Sequence, residues 1–592
     1  MQKNLLIGAA AAALLIADIE LTSRDSTSGG PPFLDPTAIA NSICGKDKDG
    51  IAKRRAFFVR AAKAYAQEAG LEAPEDLGVQ EKIGDISYKI TTPSEAAQAH
   101  FNLGLAHSWN FNHGEAVLHF KAAQAADPDC AMCYWGEAFA YGPNINAPMD
   151  DADVPAAYAA IRKAKAASGA SEKERALIDA LATRYSSAAL KDRSKLDAAF
   201  ADASDKVALQ YPDDDFIAVL AAEANMDTQP WDYWEADGRT PKGRTARTLS
   251  LLEAVLARSP LHPAAIHLYI HMTEASRDPH RAAAYADKLA QLTPGLGHLI
   301  HMPSHTYYRI GRFKQSLAAN IDAVSADEAF LASNKASVLY EYGYYVHNVH
   351  FLMTSAQMAG DGKTALEMAG KLDAKLPAEM AAAVPFAQPI KAAPYFAMAQ
   401  FADPQAILDL PDPGAQFPFL QGTWRYARGE AFAKLGDVES AEKEAQEIGR
   451  ILAEENLQPL LDVNVPAPDI LNIARLTVTA RAAAGRGDYA SAVEAMGEAV
   501  ALQDAIAYTE PPFWYYPTKQ TLAAMELREG NAERAEALFL ETLAEAPNNG
   551  WVLYGLAASL RAQGDKKGAK FADALFKEAW AGDAKKLALE AL

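Results

Sequence analysis

Residues 95–129 read EAAQAHFNLGLAHSWNFNHGEAVLHFKAAQAADPD, and this stretch decides the fold. It is rich in alanine and poor in β-branched residues, and its apolar residues recur at spacings of three and four, a pattern that favours helix. The turn-forming residues Asn112, His113 and Gly114 interrupt the pattern, and Pro128 ends it. The stretch therefore predicts two helices joined by a short turn.

The small and aromatic residues of this stretch also define a repeat unit, which recurs along the chain. Two later units carry corresponding histidines, His267 and His301, at an offset of 301 − 267 = 34 residues. With Ala97 as position 1, the consensus positions 7, 8, 20, 24, 27 and 32 are filled by Leu103, Gly104, Ala116, Phe120, Ala123 and Pro128. The stretch resembles the tetratricopeptide repeat at nearly every diagnostic position. Further units begin at Pro263, Gly297, Val346, Gly422, Ile473, Tyr516 and Gly550.

The resemblance covers most of residues 96–580 and implies an all-α solenoid of helix–turn–helix repeats wound into a right-handed superhelix. Segments such as HMPSHTYYRIGRF (301–313) and YYVHNVHF (344–351) also resemble a group of long bacterial tetratricopeptide proteins with histidine-rich repeat helices, whose role is not established. The repeat itself implies a binding scaffold and does not specify a function.

Length and charge restrict the classes of function. The chain has 592 residues, which suits a long repeat array better than one compact core. Its net charge is −20 and it has no extended basic block, so nucleic acid is not expected as a partner. The sequence contains no GxSxG, Walker, GxGxxG or HExxH motif, which removes support for serine hydrolase, NTPase, dehydrogenase and zincin functions.

The N-terminus predicts export. Residues 1–17 combine a lysine with a short apolar run, which is typical of a signal peptide or an N-terminal anchor. We expect a linker and helical cap at 18–90, a first repeat block at 91–408 and a second at 409–592, divided at a proline-rich segment. The mature protein is expected in the periplasm or secreted, without a membrane span unless the N-terminal segment stays as an uncleaved anchor.

The three cysteines leave several possibilities open. Cys130 and Cys133 could form a disulfide, or they could supply soft ligands to a metal ion. Cys44 could pair with either of them. A single CxxC motif does not define a zinc site, because structural zinc needs four ligands.

Histidines are concentrated between residues 262 and 350, where nine of the thirteen occur. They recur at the same positions of successive repeats. Position 5 is filled by His267, His301 and His350, position 9 by His271 and His305, and position 2 by His298 and His347. Spacings of three and four place such residues on one helix face. In the family that this chain resembles, that face lines the concave groove where ligands bind.

These positions predict a metal site. Two histidines four apart can present both rings to one ion, and neighbouring helices pack about 8–10 Å apart, so rings from three helices can meet. Imidazole suits copper and zinc, and the scarcity of carboxylates argues against calcium and magnesium. The expected ligands, enough for two ions, are His267, His271, His298, His301, His305, His347 and His350. Glu274 and Tyr308, both at position 12, are the expected catalytic groups of a metal-dependent oxidase or hydrolase.

Three other interpretations stand beside this one. The groove could bind a peptide, a partner protein or a small molecule without metal, as an interaction scaffold does. The protein could store or deliver metal without catalysis. Some histidines could also be hydrogen-bonded core residues, as His107 at a packing position is expected to be. His113 is expected in a turn. The aromatic motif EPPFWYYP (510–517) could plug the C-terminal repeats or line an apolar pocket.

Overall fold

The computed structural model describes residues 83–190, 192–333 and 336–592. The predicted signal segment 1–17, nearly all of the predicted linker and cap at 18–90, and Cys44 lie outside these ranges. Within the described residues, regular structure is helical apart from two isolated β-bridges, Asn144–Ala147 and Trp234–Pro241. The predicted all-α solenoid is confirmed.

Eight helices precede the histidine-rich segment in the described part of the chain. They are α1 (Glu95–Trp109), α2 (His113–Ala126), α3 (Ala131–Tyr141), α4 (Val154–Ala166), α5 (Glu172–Ala182), α6 (Ser194–Gln210), α7 (Asp215–Met226) and α8 (Thr245–Arg258).

The histidine-rich segment follows directly. Its helices are α9 (Pro263–Glu274), α10 (Ala283–Leu292), α11 (Gly297–His301), α12 (Pro303–Arg309), α13 (Phe313–Ser333) and α14 (Tyr345–Ala359). A π-helical stretch, Leu339–Tyr344, runs into α14.

The remaining helices complete the array. They are α15 (Gly362–Lys375), α16 (Ala378–Ala383), α17 (Ala387–Phe401), α18 (Pro404–Leu408), α19 (Pro418–Leu435), α20 (Val438–Glu454), α21 (Gln458–Leu461), α22 (Ala467–Gly485), α23 (Tyr489–Ala505), α24 (Thr518–Glu529), α25 (Ala532–Glu545), α26 (Gly550–Ala562) and α27 (Lys566–Ala579).

Glycines at the contacts between helices explain why the helices pair so closely. A Cβ added at Gly104 of α1 would lie 2.7 Å from the ring of Phe120 on α2, and one added at Gly555 of α26 would lie 2.2 Å from the ring of Phe539 on α25. Both phenylalanines are fully buried. Glycine therefore lets each aromatic ring lie against the backbone of the neighbouring helix.

The C-terminal repeats fold back onto the histidine-rich segment. Trp551 Nε1 donates to the carbonyl of Gln357 at 3.0 Å, and the amide of Ala581 donates to the carbonyl of Ala359 at 2.8 Å. One apolar cluster extends from Phe313 to Leu592 and so runs through residue 409. The division into blocks at that residue stays a prediction. This return of the chain brings the loop around Glu510 next to α12 and α14.

Two smaller features bear on the sequence analysis. Cys130 and Cys133 form a disulfide at the start of α3, where Cys130 is the N-cap residue. Among the described helices, none is both long enough and apolar enough to cross a bilayer.

Candidate metal centre

Local sequence sets the direction of each histidine-bearing helix. His262 caps α9, because its Nδ1 accepts the amide of Ala265 at 3.2 Å, and Pro263 occupies the first helical position, where an amide is not needed. Pro303 separates α11 from α12, so His301 and His305 lie on two short consecutive helices rather than one long one.

The inner triad consists of His267, His271 and His298. One nitrogen of each ring lies within 4.8 Å of the others. The Nε2 atoms of His267 and His298 are 3.1 Å apart. The three side chains are at most 2% exposed. Burial lowers the pKa of His267 to about 3, and it also lowers the pKa of His298, so both rings are neutral at physiological pH.

The outer triad consists of His301, His305 and His347. Its Nε2 atoms converge: that of His301 lies 2.7 Å from that of His305 and 3.1 Å from that of His347. His301 and His305 are buried, whereas His347 is half-buried. Each triad therefore combines positions 5 and 9 of one repeat with position 2 of the next.

The side-chain amide of Asn320 determines which ring nitrogen of His301 carries the hydrogen. Asn320 Nδ2 donates to the carbonyl of Ser316 at 2.8 Å, which turns its Oδ1 toward Nδ1 of His301, 2.6 Å away. Because an amide oxygen only accepts, Nδ1 of His301 carries the hydrogen. Burial lowers the pKa of His301, so its ring is neutral and its Nε2 presents a lone pair to the middle of the outer triad.

The carboxyl group of Glu274 bridges the two triads. Its Oε1 lies 2.9 Å from Nδ1 of His271, and its Oε2 lies 2.6 Å from Nδ1 of His305. Glu510, from the loop after α23, forms an ion pair with the same nitrogen of His305. Carboxylates on the outer nitrogen of a histidine hold the ring so that the other nitrogen faces a metal ion.

Glu274 and Glu510 also determine the charge of His305. Burial alone would lower the pKa of His305, but Glu274 and Glu510 raise it to about 10. Burial and the neighbouring Glu510 raise the pKa of Glu274 to about 8. Burial would raise the pKa of Glu510 as well, yet the ion pair with His305 lowers it. His305 and Glu510 are therefore the charged partners, and Glu274 holds a proton at neutral pH.

A cavity of about 110 Å³ lies beside the outer triad. Its polar edge is formed by His347, His350 and Glu510, and its walls are largely aromatic and proline side chains, among them Trp231, Phe386 and Phe513. No residue of the inner triad lines this cavity. Instead the ring of Phe111 covers it, with its centroid 4.7 Å from that of His267 and 5.1 Å from that of His298.

Two predicted site residues lie outside both triads. His350 is separate, with its Nε2 2.9 Å from the hydroxyl of Tyr515, and burial lowers its pKa to about 3. The repeat explains this, because position 9 of its unit is Thr354, so the unit lacks the second histidine of a pair. Tyr308 packs its ring against Phe313 and Phe351. The face that was expected to line an open groove is buried around both triads.

Sequence reasoning missed three residues of the site. Glu510 is 205 residues from His305, and nothing in its local motif indicated that contact. Asn320 follows His301 by 19 residues on the second helix of the same repeat, a position that could have been inspected for a polar partner. Phe111 belongs to the first turn of the array. Of the aromatic motif, Trp514 is buried as a plug, while Phe513 and Tyr515 line the cavity.

No protein-family model matches this chain, and no curated protein matches it. Solved structures that resemble it include a human IFIT1 dimer with m7Gppp-AAAA, at 11% identity over 92% of this chain and 99% of that one with a TM-score of 0.30. The TPR domain of P58(IPK) has 12% identity over 80% and 99% of the two chains with a TM-score of 0.20. The APC/C hetero-tetramer Cut9-Hcn1 has 12% identity over 85% and 81% with a TM-score of 0.26. No function passes to this chain from these similarities.

Proposed function

We propose that this protein binds two metal ions, copper or zinc, one in each triad, and that the outer ion acts on a small molecule held in the neighbouring cavity. The observation that carries the proposal is the convergence of three imidazole nitrogens twice, with oxygen acceptors on the Nδ1 atoms of His271, His301 and His305. Copper and zinc both favour neutral imidazoles, and an ion in the outer triad would displace the additional proton of His305.

The spacing of the nitrogens supports an ion at the outer triad. In a tetrahedral site with metal–nitrogen bonds of about 2.0–2.1 Å, ligand nitrogens are about 3.3–3.4 Å apart. The Nε2 of His301 lies 2.7 Å from that of His305 and 3.1 Å from that of His347. To hold an ion, the first pair needs to separate by about 0.6–0.7 Å and the second by about 0.2–0.3 Å. Without an ion, the close approach of these nitrogens requires an additional proton, which His305 carries.

The surroundings support different roles for the two ions. Three protein ligands leave the fourth tetrahedral position of the outer ion open, and the cavity borders His347. An ion there would supply an activated water if it is zinc, or a site for dioxygen chemistry if it is copper. The inner ion is enclosed, which suits a structural ion or an electron partner. A metal-dependent hydrolase or oxidase is the resulting proposal for activity.

The residues expected to be catalytic have distinct positions in this proposal. Glu274 holds the rings of His271 and His305, so we assign it a positioning role across both triads. Tyr308 stays a predicted catalytic group that assists proton transfer. Export to the periplasm, inferred from residues 1–17, also stays a proposal, as does the alternative of a scaffold that binds a peptide or partner.

Metal analysis of untagged protein tests the proposal, since a His tag would bind metal itself. We expect two equivalents of copper or zinc after incubation and removal of loose ions. His301→Gln/His305→Gln should lose one equivalent and His267→Gln/His271→Gln the other. His350→Gln, a buried histidine outside both triads, is the matched control and should keep both. A folded wild-type protein without metal would overturn the proposal and favour the interaction scaffold.

A further inference from the structure

The first repeat contains a second kind of cluster, away from the two triads. His107 on α1 and Glu115 and His119 on α2 each offer one ligand atom, and these atoms lie within 4.8 Å of one another. The three side chains are at most 2% exposed. Buried histidine and glutamate side chains are uncommon unless they are hydrogen-bonded, paired or bound to a metal.

The helix pair explains how these residues meet. Glu115 and His119 are four apart on α2 and therefore lie one above the other on the same face. His107 stands in the last turn of α1, and its ring lies parallel to that of His119, with an interplanar angle of 7° and centroids 5.5 Å apart. The cluster therefore joins the two helices of one repeat near their common turn.

A fourth histidine orients His119. The Nδ1 atoms of His100 and His119 are 3.1 Å apart, so one of them donates a hydrogen bond to the other. With His119 as the donor, its Nε2 carries a lone pair. Among the described residues that Nε2 has no hydrogen-bond partner, and it lies 3.9 Å from Oε1 of Glu115. In that tautomer, Nε2 of His119 and Oε1 of Glu115 are two acceptors that face each other in a buried site, and a cation between them would satisfy both.

We propose that His107, Glu115 and His119 form a third metal site, independent of the two triads, for a divalent ion such as Zn²⁺ or Fe²⁺. Two imidazoles and one carboxylate form a harder donor set than three imidazoles, and they are the protein ligands of many zinc and non-haem iron sites. His100 supports the site from outside, as partners of metal-bound histidines commonly do.

The position of the site indicates its role. The turn between α1 and α2 carries Phe111, whose φ of 56° lies in the left-handed region, where a bulky residue is strained. The same turn presents Asn110 Oδ1 to the amide of Leu299, at 3.2 Å, next to the inner triad. An ion that ties α1 to α2 one turn away would hold this strained turn, and Phe111 with it, against the inner triad.

The test loads full-length untagged protein with Zn²⁺, and separately with Fe²⁺ without oxygen, and counts bound ions. A variant with His267, His271, His301 and His305 all changed to Gln removes both triads. We expect this variant to keep one equivalent, and to lose it when His107→Gln/His119→Gln is added. Glu115→Gln keeps the shape of the site and should weaken binding at least tenfold. His113→Gln, in the same repeat, should change nothing.

The outcomes separate this site from the triads. If the fourfold variant is folded by circular dichroism and binds neither ion, the third site does not exist, whatever the triads do. If wild type holds ions that only the His107→Gln/His119→Gln variant loses, the third site stands and the two-triad proposal fails. Unchanged metal content in a folded His107→Gln/His119→Gln variant also overturns the third site.

Discussion

The two triads use the same repeat positions but have different surroundings. The inner triad is covered by the ring of Phe111, and Glu274 contacts Nδ1 of its His271. The outer triad has Glu274 and Glu510 at His305 and borders a cavity through His347. The repeat therefore supplies the ligand sets, and the chain around each set decides whether it is enclosed or open.

The same comparison explains why there are two triads in this segment. Each triad needs histidines at positions 5 and 9 and a histidine at position 2 of the next unit. The unit that begins at Val346 has His350 at position 5 but Thr354 at position 9, so no third triad follows. His350 contacts Tyr515 instead. Without a second histidine in this unit, and without any histidine after residue 350, His350 is a hydrogen-bonded core residue instead of a ligand.

The largest difference between the triads should come from removing their histidine–carboxylate contacts. His305→Gln removes the cation shared by Glu274 and Glu510, and breaking a buried ion pair costs about 3–5 kcal/mol. His271→Gln leaves one oxygen of the protonated Glu274 without its hydrogen bond and should cost about 1–3 kcal/mol. Urea unfolding of metal-free protein measures both losses.

The control for this comparison is the variant His305→Gln/Glu510→Gln. It should regain part of the free energy of unfolding that His305→Gln loses, because the charged carboxylate of Glu510 is then no longer buried without its cation. Equal losses for His305→Gln and His271→Gln would contradict the assignment of the charged pair to the outer triad.

Substitution of Phe111, whose ring covers the inner triad, should give the next largest effect. Phe111→Gly removes a buried ring, at a cost of about 3–5 kcal/mol, and relieves backbone strain of about 1–3 kcal/mol, so the net loss should be about 2 kcal/mol. Release of the inner ion to a chelator should become at least tenfold faster. Phe351→Ala, next to the outer triad, is the comparison and should accelerate only the outer ion. Acceleration of the outer ion by Phe111→Gly would contradict the account.

A smaller effect is expected from removing Asn320, the hydrogen-bond acceptor of His301. Asn320→Ala removes the oxygen that fixes the proton on Nδ1, and loss of such a partner lowers metal affinity by about 10–100-fold. Competition with a calibrated chelator should detect this change in the outer ion alone. An equal loss at the inner triad would mean that Asn320 acts through stability of the fold, which the unfolding free energy of the same variant checks.

The smallest effect, on the rate of metal exchange, should come from narrowing the cavity. Ile390→Trp adds volume to a wall of the cavity beside His347 and should leave both ions bound. Exchange of the outer ion with a chelator should slow several-fold, while that of the inner ion stays the same. Slower exchange of both ions would show that the cavity is not the specific entry to the outer triad.

The sequence predicted the features of the fold and of the site that follow from the repeat. The same-phase histidines at His267 and His301 indicated that their rings share one helix face, and the small residue at Gly104 indicated the helix pairing. Both follow from local periodicity. The grouping of His298 with the preceding repeat required the geometry of packed helices, because 31 residues separate it from His267.

Contacts from distant parts of the chain were beyond sequence reasoning. Glu510 reaches His305 because the C-terminal repeats fold back, and no local pattern encodes that return. The cluster of His107 and His119 was hidden for another reason. Position 11 predicts a core residue, and His107 is indeed buried, so burial alone did not distinguish packing from ligation. That Glu115 lies beside both histidines becomes evident only when α1 and α2 are packed together.

Anomalous diffraction from crystals of untagged protein, at the copper and zinc absorption edges, tests the central claim most directly. The account predicts one peak within about 2.0–2.1 Å of nitrogens of His301, His305 and His347, and another at the same distance from nitrogens of His267, His271 and His298. The outer peak should also have a fourth ligand on the side of the cavity. Well-ordered triads without a peak at either position, in protein loaded with both metals, would contradict it.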